Sequence, residues 1–360
     1  MTENLRTKCE LFERNRSAVS QKFIFENDVM RIAAGLLLTG AEREADIETL
    51  TECRRILSER AGFFSEYRGN VKLALITDMA LSPDPEQYLA DVKAVYQTLH
   101  RGHFRDNSYM LLSAMLICDA GRQAHAEEIA EKYGEILRRM EKQHPIITNA
   151  EDISYVILLA MSDRTADAIL RDMDECAETL NSRLRIGADS VQGLSEYLAL
   201  SDGDIREKCD RIIRLYDALK SQKASIGSGN ALIALGTMAN LDEPAETLVS
   251  DILEADAFLA ECKGFDEKSM DKRDRLMTAV ILTAESRGTA VSAVNNTFIN
   301  SALGIIRAKH LVTVITVISH VLPPLIDAAA NMSGTDTEQA PQQDVHAGDG
   351  SAGSAPESNP

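Results

Sequence analysis

The segment ISYVILLAM, residues 153–161, decides the fold. As a short apolar run it reads as a buried parallel strand; as one turn after another of a helix it is apolar on every face. Four other segments occupy equivalent places: NVKLALITDMAL (70–81), YMLLSAMLI (109–117), VQGLSEYLAL (191–200) and ALIALGTMANL (231–241). If all five are strands, the chain is a series of β-α units, with Ser-Asp turns at the carboxyl ends of the strands where active sites collect. If they are helices, each unit is a helical hairpin.

Helices fit better. Buried parallel strands are rich in Val and Ile and almost free of charge. Here Leu, Ala and Met dominate, and Thr77, Asp78, Ser113, Gln192 and Glu196 interrupt. Several of the segments are also long for a strand.

Each segment leads into an amphipathic helix. Leu99, Met140, Leu180, Leu219 and Leu259 recur at spacings of 41, 40, 39 and 40 residues. Four residues earlier stand Val95, Ile136, Cys176, Leu215 and Ala255. Seven earlier are Val92, Tyr133, Met173, Ile212 and Ile252, and ten earlier Leu89, Ala130, Leu170, Cys209 and Val249. Offsets of 3, 3 and 4 make one helical stripe. A stripe returning at a fixed period predicts an array of like units.

The turns agree. In SPDPEQYL (82–89), Asp84 suits a helix N-cap and Pro85 the first helical position. Pro244 sits at a similar point in LDEPAETL (241–248). In LSEYLALSDGD (194–204), Ser201 or Asp202 is expected to cap the following helix. A ligand-facing role for this turn is the alternative.

Outside the repeats, RIAAGLLLTG (31–40) and DIETLTECRRILSER (46–60) predict helices that cover the first unit, and DKRDRLMTAVILTAESRG (271–288) is a partial sixth unit. HLVTVITVISHVLPPLIDAAA (310–330) is the most apolar stretch. Its uncharged part, 311–326, falls short of the roughly twenty residues of a spanning helix. His320 and Pro323-Pro324 interrupt it. It reads as a buried terminal helix, with membrane-surface or self-association as the alternative. Residues 332–360 carry five acids and no Lys or Arg, a composition that predicts a disordered tail. The expected organisation is an N-terminal helical cap (1–60), helical repeats (61–288), a hydrophobic C-terminal segment (289–331) and the tail (332–360).

The formal charge of −18 argues against nucleic acid and anionic membranes, both of which recruit Lys and Arg. The six cysteines are widely spaced, with no CxxC pair for zinc or redox exchange. A charged N-terminus without an apolar core points to the cytoplasm and reduced thiols.

No residue earns a catalytic, cofactor-binding or metal role. His100 and His103 in LHRGHF (99–104) could share a metal, but Gly102 ends the helix and no third ligand is near. GSGNALIAL (227–235) contains GxG, yet a polar helix end precedes it where a phosphate loop needs a strand. YRGN (67–70) ends in the same Gly-Asn, which reads as a turn between units, and Arg68 there either faces a partner or pairs with a neighbouring acid. Basic residues Arg206, Lys208, Arg211, Arg214, Lys220 and Lys223 alternate with acids on one helix and read as a salted surface.

The run FFSEYRGNVKLALITDMALSPDPEQYLADVKAVYQTLHRGHF (63–104) resembles an uncharacterised bacterial domain-of-unknown-function family, number 4003, over about residues 5–320. The resemblance implies a bacterial cytosolic setting and no functional residues.

The expectation is an all-α, α-solenoid-like hairpin array of about 40-residue period. Its leading function is binding or scaffolding of another protein or peptide along a concave face, without a cofactor. The rival is a helical ring, enzyme or ligand-binding protein, with polar residues converging on a pocket.

Overall fold

The computed structural model describes residues 1–61, 67, 69–101, 108–143, 152–200, 203–265, 270–289 and 299. The segment 311–326, the tail, His103 and Arg68 lie outside them.

Among the described residues the chain is entirely helical, with no strand. Seven hairpins follow one another. They are α1 (Glu3–Lys22) with α2 (Asp28–Gly40), α3 (Ile47–Arg60) with α4 (Lys72–Leu81), and α5 (Pro85–Arg101) with α6 (Ser108–Asp119). Next come α7 (Ala126–Gln143) with α8 (Asp152–Met161), α9 (Ala166–Arg183) with α10 (Ala188–Leu198), and α11 (Ile205–Ser221) with α12 (Asn230–Leu235). The last is α13 (Ala245–Glu261) with α14 (Lys272–Glu285).

The even-numbered helices are the apolar segments, and ISYVILLAM is α8. In α6, α10 and α14 nearly every residue is buried. A helix apolar all round belongs between other helices, which is why YVILLAM looks like a strand and is not one. The odd-numbered helices bury one stripe. All twenty stripe positions predicted from the repeat are buried except Ala130, which is half-buried.

Capping fixes where the helices start. The Asp84 carboxylate accepts from Gln87 N at 3.0 Å, with Pro85 as first helical residue of α5. At the LSDGD turn the cap is Asp204, whose Oδ1 accepts from Arg206 N and Glu207 N at 2.9 and 3.0 Å. This corrects the expectation of Ser201 or Asp202, which lie outside the described residues. Asp204 satisfies two of the free N–H groups of the helix's first turn, those of its second and third residues, an arrangement worth about 1 kcal/mol.

The outer layer runs α1, α3, α5, α7, α9, α11, α13, each packed on the next, and α13 packs back on α1. Helix α14 also packs on α1. The half-unit 271–288 is therefore completed from the other end of the sequence. At this seam the Phe12 and Phe265 rings meet edge to face at 5.8 Å, and the Arg16 guanidinium lies 4.6 Å from the Phe265 centroid. Arg16 also donates to Lys263 O, and Asn4 to Ser286 O. Met1–Arg307 is one compact unit.

Close approach of inner helices is tightest at two glycines, and at Gly236 the neighbour is a rigid ring. A Cβ on Gly236 would stand 2.6 Å from the Tyr197 ring, and one on Gly193 2.5 Å from Ile233 Cδ1. A larger residue at Gly236 would push α10 and the turn following α12 apart, whereas one at Gly193 would displace the Ile233 side chain.

Candidate small-ligand cavity

Polar residues inside buried helices divide into two groups. Hydroxyls satisfy themselves by donating to the carbonyl one turn back. Thr77 donates to Leu73 O at 2.8 Å, Ser113 to Tyr109 O at 2.8 Å and Ser195 to Val191 O at 2.7 Å. Amides and carboxyls cannot do this and need partners on another helix.

Gln192 and Glu196 are such residues. They lie one turn apart on the same side of α10. Gln192 Nε2 donates to Oδ2 of Asp152, in the first turn of α8, at 2.9 Å. The carboxylate is favourable there, at the positive end of the helix. Glu196 is fully buried. Its carboxyl is pushed well above the usual range, first by burial and then by Asp152, with the Gln192 hydrogen bond acting the other way. The protonated acid is thereby favoured. The same carboxyls help raise the phenol of Tyr133 on α7, although its burial is the larger cause.

Gln192 also faces a cavity of about 220 Å³ between α7, α9 and α10. Met140, Leu170, Met173, Ala177, Ala188 and Val191 supply apolar wall. Gln143, Asp174, Asn181, Gln192 and Ser195 supply polar points. Among the described residues no Lys, Arg or His lines it. An apolar cavity with a few polar groups and a displaced carboxyl nearby is the usual form of a small-molecule site. Two larger spaces, about 530 and 560 Å³, lie along outer helices α5 and α13 and are edged by Arg60, Glu86 and Lys93 or by Asp217 and Glu246. They have the character of grooves between solvated side chains.

The motifs singled out in the sequence stay apart from this cavity. His100 is exposed at the end of α5, stacked on Tyr96 at 6.5 Å. Among the described residues no group of three or more His, Cys, Asp or Glu could hold a metal. Gly227 and Gly229, with φ of 72° and 74°, form a helix-to-helix turn, and Gly229 N donates to Ser190 Oγ at 2.7 Å. On α11, Arg206 pairs with Glu175 and Arg211 with Asp242. Arg183 of α9 reaches across to Asp210. Lys208 departs from the expected salted surface: it is buried, with Nζ donating to Leu198 O at 2.7 Å.

Gln192 and Glu196 were visible in the sequence as interruptions of an apolar run. Their four-residue spacing was the available signal of a polar site. The cavity itself left no signal, because it depends on how α7, α9 and α10 come together, with small side chains such as Ala177 and Ala188 along its wall.

The described residues define an all-helical protein of successive hairpins, with a partly open, mainly apolar cavity between α7, α9 and α10. Over residues 15–311 the chain matches the family described as Protein of unknown function (DUF4003), and it belongs to that family. No curated protein and no solved structure matches it. No helix among the described residues is long and apolar enough to cross a membrane.

Proposed function

We propose that the hairpins form a binding protein for a small, largely apolar, neutral or cationic molecule held between α7, α9 and α10. The observation that carries this reading is the Asp152–Gln192–Glu196 group behind a cavity with otherwise mainly apolar walls. The cavity volume of about 220 Å³ sets the scale at a small molecule with one end left toward solvent. Anions are disfavoured because Asp174 lines the site and, among the described residues, no basic side chain does.

The test uses hexan-1-ol, hexylamine and hexanoate with thermal unfolding as readout. The alcohol and the amine are expected to raise Tm and hexanoate is not, since a ligand bound only to the folded state stabilises it. Ala177→Phe should abolish the response by filling the cavity. No response to any probe, or an equal response to all three, would count against the site.

A second reading, binding of a protein or peptide, draws on the turn between α1 and α2. Phe25 is 97% exposed and Ile24 59%, and adjacent exposed apolar side chains are common in interaction surfaces. The double variant Ile24→Ser, Phe25→Asp is expected to lose any stoichiometric protein that co-purifies with the parent chain. Retention of that partner would remove the turn from consideration.

A further inference from the structure

Cys176 of α9 and Cys209 of α11 meet where these two outer helices pack. They come from neighbouring repeats, at the stripe positions four and ten residues before the aligned leucines. Their Sγ atoms are 3.1 Å apart, the Cys209 thiol donating to Cys176, and both residues are fully buried. All six cysteines are free thiols. A disulfide has an S–S length of about 2.05 Å, so roughly 1 Å of closure separates the thiols from a bond.

The surroundings distinguish this pair. The Cys176 thiol is lowered, first by the hydrogen bond from Cys209 and further by Ser195 and the Lys208 ammonium, against burial and Asp172. Burial pushes Cys9 and Cys118 up to about 12, and Cys53 and Cys262 to about 11. The thiolate is the reactive form, so Cys176 is the nucleophile of the set.

We propose that Cys176 and Cys209 are a reversible redox pair, oxidised by peroxide to a disulfide that joins α9 to α11. The Cys176 sulfur attacks one peroxide oxygen, the O–O bond breaks, and a sulfenic acid forms with release of water. The Cys209 sulfur then attacks the Cys176 sulfur, the S–S bond forms, and a second water leaves with the Cys209 proton. Two thiols and one hydrogen peroxide give one disulfide and two waters. Two equivalents of a small thiol reverse the step by exchange and are themselves oxidised to their disulfide.

The full chain, reduced and freed of reductant, is treated with hydrogen peroxide, a small oxidant suited to enclosed thiols. It is then denatured, alkylated and weighed. Free thiols should fall from six to four, the mass of the unalkylated chain should drop by two hydrogens, and peptide mapping should link the Cys176 peptide to the Cys209 peptide. Oxidation should also raise Tm, because the crosslink closes a loop between residues 33 apart. Dithiothreitol should reverse every change, and Cys209→Ser should prevent the link while Cys53→Ser leaves it intact. Six alkylated thiols after peroxide would overturn the proposal. So would a crosslink between other cysteines, such as the neighbouring Cys9 and Cys262. Mapping of the unaltered chain decides between these outcomes even if Cys209→Ser folds poorly.

Discussion

Glu285→Gln is expected to stabilise the protein at pH 8 and to have little effect near pH 4. Glu285 ends α14 and is 4% exposed. Neither carboxyl oxygen has a hydrogen-bond partner among the described residues. Burial raises its pKa from the ordinary 4.5 to about 8, against the attraction of Lys8. Lys8 is engaged elsewhere, donating to Thr39 O at 3.3 Å and to Glu42 Oε1 at 3.0 Å. Between these two pKa values the folded state holds a proton that the unfolded state has released. Stability therefore falls as pH rises through this window, by about 1.4 kcal/mol per pH unit, and the contribution is flat on either side of it. At pH 7 the accumulated cost is on the order of 3–4 kcal/mol, an upper figure for a group free to relax. Glutamine has nearly the same shape and does not ionise, so the variant should recover about 1–3 kcal/mol there. Urea unfolding of both proteins at pH 4, 6 and 8 measures it. Parallel pH profiles would show that Glu285 is ionised at no cost, and the burial argument would fail.

Phe12→Ala should cost about 3–5 kcal/mol, the range for removing a fully buried phenylalanine. The Phe12 side chain is fully buried, and a Cβ on Gly35 of α2 would lie 3.2 Å from its ring. Its other contact, Phe265, follows α13. The ring thus bridges the first hairpin and the last. The loss should appear in global unfolding, since the seam holds both ends of the array. A double-mutant cycle with Phe265→Ala isolates the contact across the seam, with a coupling of about 0.5–1.5 kcal/mol for an edge-to-face pair. Additive losses would show that the two rings stabilise their own hairpins independently.

The hairpins were legible in sequence because they rest on local chemistry. Leu99 and its equivalents announce the outer stripe, and Asp84-Pro85 announces a helix start. ISYVILLAM required an argument from the composition of its equivalents, since complete burial erases the periodicity that separates helix from strand. The seam was not legible. Helix α1 buries Leu5, Cys9, Phe12 and Val19 at helical spacing, but Lys8, Asn15 and Arg16 are buried among them. These polar residues disguise the stripe. Each finds its partner far from itself in sequence or in another element: Arg16 at Lys263 O, Asn15 at Arg43 O and Lys8 at Thr39 O. The site was half legible, in the polar interruptions of α10 but not in the space beside them.

Closure through α1 has a consequence for how the chain reaches its final state. Most contacts join a hairpin to its immediate neighbour, and such contacts form early and fast. The pairing of α1 with α13 and α14 spans more than 200 residues. During synthesis α1 can pack on α2 at once, but the part of its surface that meets α13 and α14 stays uncovered until those helices are made. Exposed apolar surface of this kind is what chaperones engage and what draws unfinished chains together. If docking of α1 onto α13 and α14 is slow, partial proteolysis during refolding should cut α1 before the other outer helices.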